Sequence, residues 1–190
     1  MKLNEKLHLV IPIFDDSGET IKAYAHSAPI SQDVFEANVL LVSKTYATIL
    51  GERLGELAGP RVAAMMLRKV AADRNDTDSY LALTNEINRL TNVIARSPEG
   101  GWIPLPFNVA KAQGIFDPED LSEVENAIVF FTVASAMLRK AARHAILPGA
   151  ASLWGAQISA LNSTAFAASL PISTATGSTG ATIPASAVPF

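Results

Sequence analysis

The chain opens with a strand pattern and then changes to a helical one. Residues 7–14 read Leu-His-Leu-Val-Ile-Pro-Ile-Phe, an apolar run of strand length. Asp15, Asp16, Ser17 and Gly18 form a turn cluster. Beyond it Ile21, Ala23 and Ala25 alternate with Lys22, Tyr24 and His26, the period of a returning strand. The pattern predicts a β-hairpin with a four-residue loop. Pro12 has no N–H to give a ladder, so its position must face an edge or a bulge. A lone hairpin is marginal in water, so this one must pack on helices or pair with another chain.

From Asp33 the apolar positions fall at helical spacing: Phe35, Val39, Val42, Tyr46, Ile49 and Leu50, with Ser31 as the N-cap. Gly51, Gly55 and Gly59 end this segment. Pro60 suits a first helical turn, and Val62, Met65, Met66 and Val70 give a short amphipathic helix. A third helix follows the turn cluster Asn75-Asp76-Thr77-Asp78. Its residues Tyr80, Leu83, Ile87, Leu90 and Ile94 form a narrow heptad-like seam. Ser97 to Gly101 ends it, and residues 102–106 read as a proline-rich connector ahead of a short helix at 107–113.

The strongest local signal is a fourth long helix. Asp117 caps it, Pro118 fills its first turn, and Glu119, Asp120 and Glu123 lie near the positive end of the helix dipole. Arg139, Lys140 and Arg143 sit at the opposite end, where cations are favoured. Leu121, Val124, Ile128, Phe131, Ser135, Leu138 and Ala142 keep helical spacing. Val129, Phe130, Val133 and Met137 add a second apolar face. A helix apolar so far round belongs at the centre of a bundle or in an oligomer. Pro148 and Gly149 are expected to close the folded region.

Charge stops at His144: the last 46 residues hold no Asp, Glu, Lys, Arg or His. They are mostly Ala, Ser, Thr, Pro and Gly, with sparse Leu153, Trp154, Ile158, Leu161, Phe166 and Leu170. A solvated tail usually carries charge, and a packed core is usually richer in large aliphatics. Trp154, Ile158 and Leu161 share one face if residues 151–161 are helical. That face either docks back on the parent bundle or binds a partner, as aromatic anchors in an uncharged arm suit coupled folding and binding. Trp154, Ile158, Leu161, Phe166 and Leu170 are therefore the candidate partner-binding residues. Residues 174–190 are of low complexity, with no order expected of them alone.

The expected architecture is mainly α: a bundle of about four helices over residues 1–147, with an N-terminal β-hairpin. An uncharged, low-complexity C-terminal arm over 148–190 follows it, partly disordered alone.

Composition narrows the chemistry. The net charge is −3 with no basic block, which argues against binding nucleic acid through its phosphates. There is no cysteine, so disulfides, thiolate catalysis and Cys-based zinc sites are excluded. The start of the chain lacks the long apolar run of a secretory signal. The uncharged stretch 145–169 contains Pro148, Gly149, Gly155, Gln157 and Asn162 and is weakly hydrophobic, so no membrane span is expected. Of the three histidines, none has metal-ligand spacing; His8 and His26 read as a surface cross-strand pair. The glycines at 51, 55 and 59 lack the Gly-Lys-Ser/Thr ending of a phosphate loop. Glu119, Asp120, Glu123 and Glu125 are explained more simply by dipole compensation and solvation than by acid–base catalysis. No catalytic residue, metal or cofactor is expected. A small-molecule enzyme would need Tyr46, Arg61, Asn85 or Arg89 to converge on a pocket.

Several stretches resemble the tail assembly chaperones of long-tailed bacteriophages. They are His26-Ser27-Ala28-Pro29-Ile30, Gly59-Pro60-Arg61-Val62-Ala63-Ala64-Met65-Met66 and Asn85-Glu86-Ile87-Asn88-Arg89-Leu90-Thr91-Asn92. Glu123-Val124-Glu125-Asn126-Ala127-Ile128-Val129-Phe130-Phe131 and Ser152-Leu153-Trp154-Gly155-Ala156-Gln157 complete them. The resemblance is one of overall pattern, without a catalytic signature. It implies a small helical, non-enzymatic protein of the host cytoplasm that covers the tape measure protein until tail tube subunits polymerise around it. Such chaperones are absent from the finished particle. The family supplies no residue-level binding motif. Two features fit the role independently: the seam helices offer apolar grooves to a partner helix, and the arm is suited to recruit a second protein. Seam helices suit an intramolecular bundle and a homo-oligomer alike. The alternative is a structural virion component, a minor tail or head–tail joining protein, whose arm is ordered by its neighbours.

Overall fold

The computed structural model describes residues 7–171. In chain order the elements are β1 (His8–Phe14), β2 (Ile21–Ser27), α1 (Gln32–Ala37), α2 (Val39–Gly51), α3 (Gly55–Asp73) and α4 (Thr77–Arg89). They continue with β3 (Thr91–Arg96), β4 (Trp102–Pro106), α5 (Phe107–Ala112), α6 (Pro118–Met137), α7 (Lys140–Ser152), β5 (Gln157–Ser159) and α8 (Ser163–Ser169).

The expectation of a mainly α, four-helix bundle is corrected. Among the described residues there are eight helices and one five-stranded antiparallel sheet, in the order β4-β3-β2-β1-β5, so the fold is mixed α/β. The heptad seam misled at its end. Tyr80, Leu83 and Ile87 lie on α4, but the helix stops at Arg89, and Thr91 to Ala95 pairs with β2. Val93 and Ile94 are adjacent and both fully buried. Neighbours on a strand point to opposite faces, so a strand covered on both sides buries both. β-Branched side chains favour that pleated setting, and β2 otherwise has an open ladder edge. The apolar connector is strand β4, which completes the meander.

Proline sets the limits of the sheet. Pro104 and Pro106 on β4 lie opposite Ile94 and Asn92. Neither can donate, so the hydrogen-bonded pairs with β3 are those of Ile103 and Leu105, and both prolines fall on the free edge. The same reasoning applies on β1. Pro12 lies opposite Tyr24, so Leu9, Ile11 and Ile13 bond to β2, while His8, Val10 and Pro12 face β5. The β5 ladder covers His8, Leu9 and Val10 and ends there, because the next outward position is the donor-less Pro12.

Helices cover one face of the sheet. Leu9, Ile13, Ala23, Ala25 and Val93 join the main core with α2–α7. On the other face Val10 and Ile94 pack with Phe166 and Ala167 of α8, backed by Tyr24, Trp102 and Leu170. The helix α6 runs through the centre, and every residue from Asn126 to Ser135 is buried, as expected of a helix apolar all round. Its start matches the sequence reading: Asp117 Oδ1 accepts from the Glu119 and Asp120 N–H groups, and the Asp120 carboxylate accepts from the Asp117 N–H. Its end does not. The helix breaks at Leu138, and α7 runs on through Pro148 to Ser152.

Against α6 lies α3, which begins at Gly55 and carries Pro60 inside it. Gly59 allows the close approach, since a Cβ there would lie 2.6 Å from Phe130 Cε2. Asn126 ties the pair together: its Oδ1 accepts from the Ala64 N–H at 2.9 Å and its Nδ2 donates to the Ser122 carbonyl at 2.8 Å.

Candidate apolar docking grooves flanking the central helix

The first groove lies between α3, α4 and α6. Its floor is Leu67, Ile87, Phe107, Ile128 and Val129, all buried. Ala64 and Thr84 keep its walls low, and it encloses about 260 Å³. Polar groups hold the rim: Arg68 Nε donates to the Tyr80 hydroxyl at 3.4 Å, and Lys111 pairs with Glu125 at 2.7 Å. The bond to Tyr80 raises the Arg68 pKa above its ordinary value. At the lip Leu81 is 50% exposed, and Met65 on the neighbouring surface of α3 is 55% exposed. An apolar floor with an exposed aliphatic lip is the form that receives one face of an amphipathic helix.

The second groove lies between α2, α6 and α7. Tyr46, Leu50, Phe131, Ala134, Ile146 and Trp154 are among its lining residues, around about 160 Å³. Leu50 and Ile146 are exposed at its mouth. The Trp154 ring meets Phe130 edge-on at 6.0 Å, and its Nε1–H is buried without an acceptor.

The structure divides the five candidate partner-binding residues between the two sides of the sheet. Trp154 and Ile158 pack against the main core and line the second groove. Phe166 and Leu170 belong to the outer cluster, where Phe166 stands edge-on to Tyr24 at 5.5 Å. Leu161 connects the two groups and is 43% exposed. Residues 151–161 do not form one helix. α7 ends at Ser152, and Gly155 takes φ +73°, the left-handed conformation in which glycine ends helices. Ile158 then enters β5 opposite Leu9. The polar-apolar-polar run Gln157-Ile158-Ser159 and the N-cap Asn162, whose Oδ1 accepts from the Ala165 N–H at 2.9 Å, were the available signals for β5 and α8. The low-complexity stretch 174–190 lies outside the described residues.

Other candidate chemistry is distributed differently from the sequence reading. His26 is buried, not a surface residue, with its ring centroid 4.8 Å from that of His8. Glu119, Asp120 and Glu123 line a cleft beside β1, where Lys22 approaches Asp120 at 2.6 Å and Asp117 at 3.9 Å. The hydrogen bond to Asp120 raises the Lys22 pKa, and Asp117 is lowered chiefly by the backbone N–H of Asp120. Of the four polar residues that a small-molecule pocket would need, Tyr46 lines the second groove. Arg61 lines a different cleft with Ile11 and Leu153, Arg89 pairs with Glu86 at 2.7 Å, and Asn85 is exposed. Among the described residues no cluster of His, Asp or Glu could hold a metal ion, and no helix is long and apolar enough to cross a membrane. The comparisons with family models, curated proteins and solved structures found no match.

Proposed function

We propose that this chain is a non-enzymatic assembly chaperone acting in the host cytoplasm. It covers apolar stripes of the tape measure protein of a long-tailed bacteriophage and recruits tail tube subunits to it. The observation that carries the reading is the groove between α3, α4 and α6, with its buried apolar floor and the exposed Leu81 at its lip. A groove of this form takes apolar residues repeating at helical spacing. Such residues are what a long helical protein exposes before a tube closes around it. The second groove, lined by Tyr46, Phe131 and Trp154, offers a further contact on the opposite flank of α6.

The test is co-expression with the tape measure and tube proteins of the same phage. The expected result is a soluble complex with the tape measure protein that is lost in Leu81→Glu, while that variant keeps the wild-type circular dichroism and melting temperature. Failure of the folded wild type to bind, or undiminished binding by Leu81→Glu, overturns this assignment of the site. Mass spectrometry of purified particles separates the alternative: a structural virion component remains in them, whereas a chaperone is absent.

A further inference from the structure

We propose that His26 forms an acid-sensitive latch, which holds residues 157–171 against the sheet at neutral pH and releases them on protonation. This segment supplies the short edge strand β5 and the only helix packed on the outer face among the described residues. His26 and its neighbour His8 lie beneath it. His8 is opposite Ser159 in the ladder that holds β5. His26 Nε2 donates to the Leu161 carbonyl at 2.9 Å, in the turn between β5 and α8. Phe166 of α8 covers the same imidazole, with centroids 5.8 Å apart.

The surroundings make the latch sensitive to charge. Around His26 are His8 and Val10 from β1, Asn92 from β3, Phe166 from α8 and the Leu161 carbonyl. None of these groups is a carboxylate. Protonating His26 places a positive charge beside Val10 and Phe166, in a largely apolar pocket. Burial holds His26 below its ordinary value of 6.5, against the opposing effect of the Leu161 carbonyl. The sign follows. Above 6.5 both the closed and open states carry neutral imidazole, and closure is at full strength. As the pH falls through that value the open state takes the proton first. Closure then weakens until the closed state is protonated too.

The outer layer is small enough to respond. The helix α8 has seven residues and contributes chiefly Phe166, Ala167 and Leu170 to its cluster. Segments with so little buried area open at low free-energy cost. Release would uncover the outer edge of β1 together with Val10 and Ile94 on the sheet face.

Hydrogen exchange of the full chain at pH 7.5 and 5.0, corrected for intrinsic exchange, tests this. The opening constant of residues 157–170 is expected to rise about tenfold for each pKa unit between the open and closed His26, while β2 and β3 keep their protection. His26→Gln keeps an amide donor toward Leu161 but cannot titrate, so its ratio is expected to stay flat. Equal opening at both pH values in the wild type, or an undiminished response in His26→Gln, overturns the proposal. Should that variant fail to fold, an NMR titration of the wild type decides. A His26 resonance titrating at its ordinary value, or amide shifts in α8 that do not follow it, overturns the latch.

Discussion

Gly59→Ala adds one methyl group where α3 crosses α6. The new Cβ would lie 2.6 Å from Phe130 Cε2 and 3.0 Å from Ile49 Cγ2. Carbon atoms prefer separations of about 3.5–4.0 Å, so something has to move. Phe130 is 5% exposed and its ring is backed by Trp154 at 6.0 Å, which leaves little room to yield. Overpacking of this kind costs about 1–3 kcal/mol. Alanine recovers about 1 kcal/mol through its better helix propensity. The net expectation is a loss of about 1 kcal/mol, or a fall of about 2–4 °C in melting temperature for a chain of this size. Gly149→Ala is the control. It is also within a helix, and its added Cβ meets nothing within 4 Å. It keeps only the propensity gain, about 0.5–1 kcal/mol. The same chemical change is thus expected to have opposite signs at the two sites. Urea titration followed by circular dichroism measures both, and unchanged m-values confirm a comparison between like states. Adding Phe130→Leu to Gly59→Ala should recover part of the loss as a coupling term. A Gly59→Ala variant as stable as the wild type would refute the argument that the helix crossing requires glycine.

Asn126→Ala removes the side chain that bonds both the Ala64 N–H and the Ser122 carbonyl. It is expected to lower unfolding free energy by about 1–3 kcal/mol in the same assay. Asp117→Ala removes the capping box of α6 and should lower the melting temperature at neutral pH. Because Asp117 is held below 3.8 by its backbone bonds, its stabilisation is complete above that value and lost as the pH falls through the depressed one. The gap between variant and wild type should therefore close in strong acid, as thermal melts along a pH series would show. Replacing Pro104 and Pro106 together by Thr gives two N–H donors to the free edge of β4. Concentration-dependent self-association is expected, visible by sedimentation velocity, since an open donor edge invites strand pairing.

The elements legible in the sequence were those written in local code. The hairpin was visible because Ile21, Ala23 and Ala25 alternate against polar neighbours, and its register places Val10 opposite His26. The start of α6 was visible because Asp117, Pro118 and Asp120 form a capping arrangement in consecutive residues. What was misread depended on partners distant in sequence. Leu90 and Ile94 continue the spacing of Tyr80, Leu83 and Ile87, so periodicity alone extends α4 through β3. The β2 edge overrides it, by offering a ladder to residues that helix propensity holds only weakly. Pro148 reads as a stop, yet α7 continues through it with Leu147 and Ala151 buried on either side. Packing outweighed the local cost.

The candidate grooves were legible only in part. The sequence pointed to seam helices as walls for a partner helix, and α4 and α6 do border the first groove. Its third wall, α3, and its floor residue Phe107 of α5 come from separate stretches that no local pattern joins. The apolar residues of the uncharged arm are sparse in sequence, yet Trp154 and Ile158 pack on the main core and Phe166 and Leu170 on the outer cluster. Their number could not say that Ile158 would meet Leu9 and that Phe166 would meet Tyr24 and His26.

Sequence alone determined the hairpin, the cap and apolar girth of α6, the absence of thiol chemistry and the end of charge at His144. These depend on contacts within a few residues or on composition. Tertiary structure decided that Thr91–Arg96 is a strand, that β5 and α8 cover the sheet, and that grooves open on both flanks of α6. Each of these is a choice between backbone states of similar local free energy. It is settled by burial and hydrogen bonding against residues far along the chain, which a local pattern does not contain.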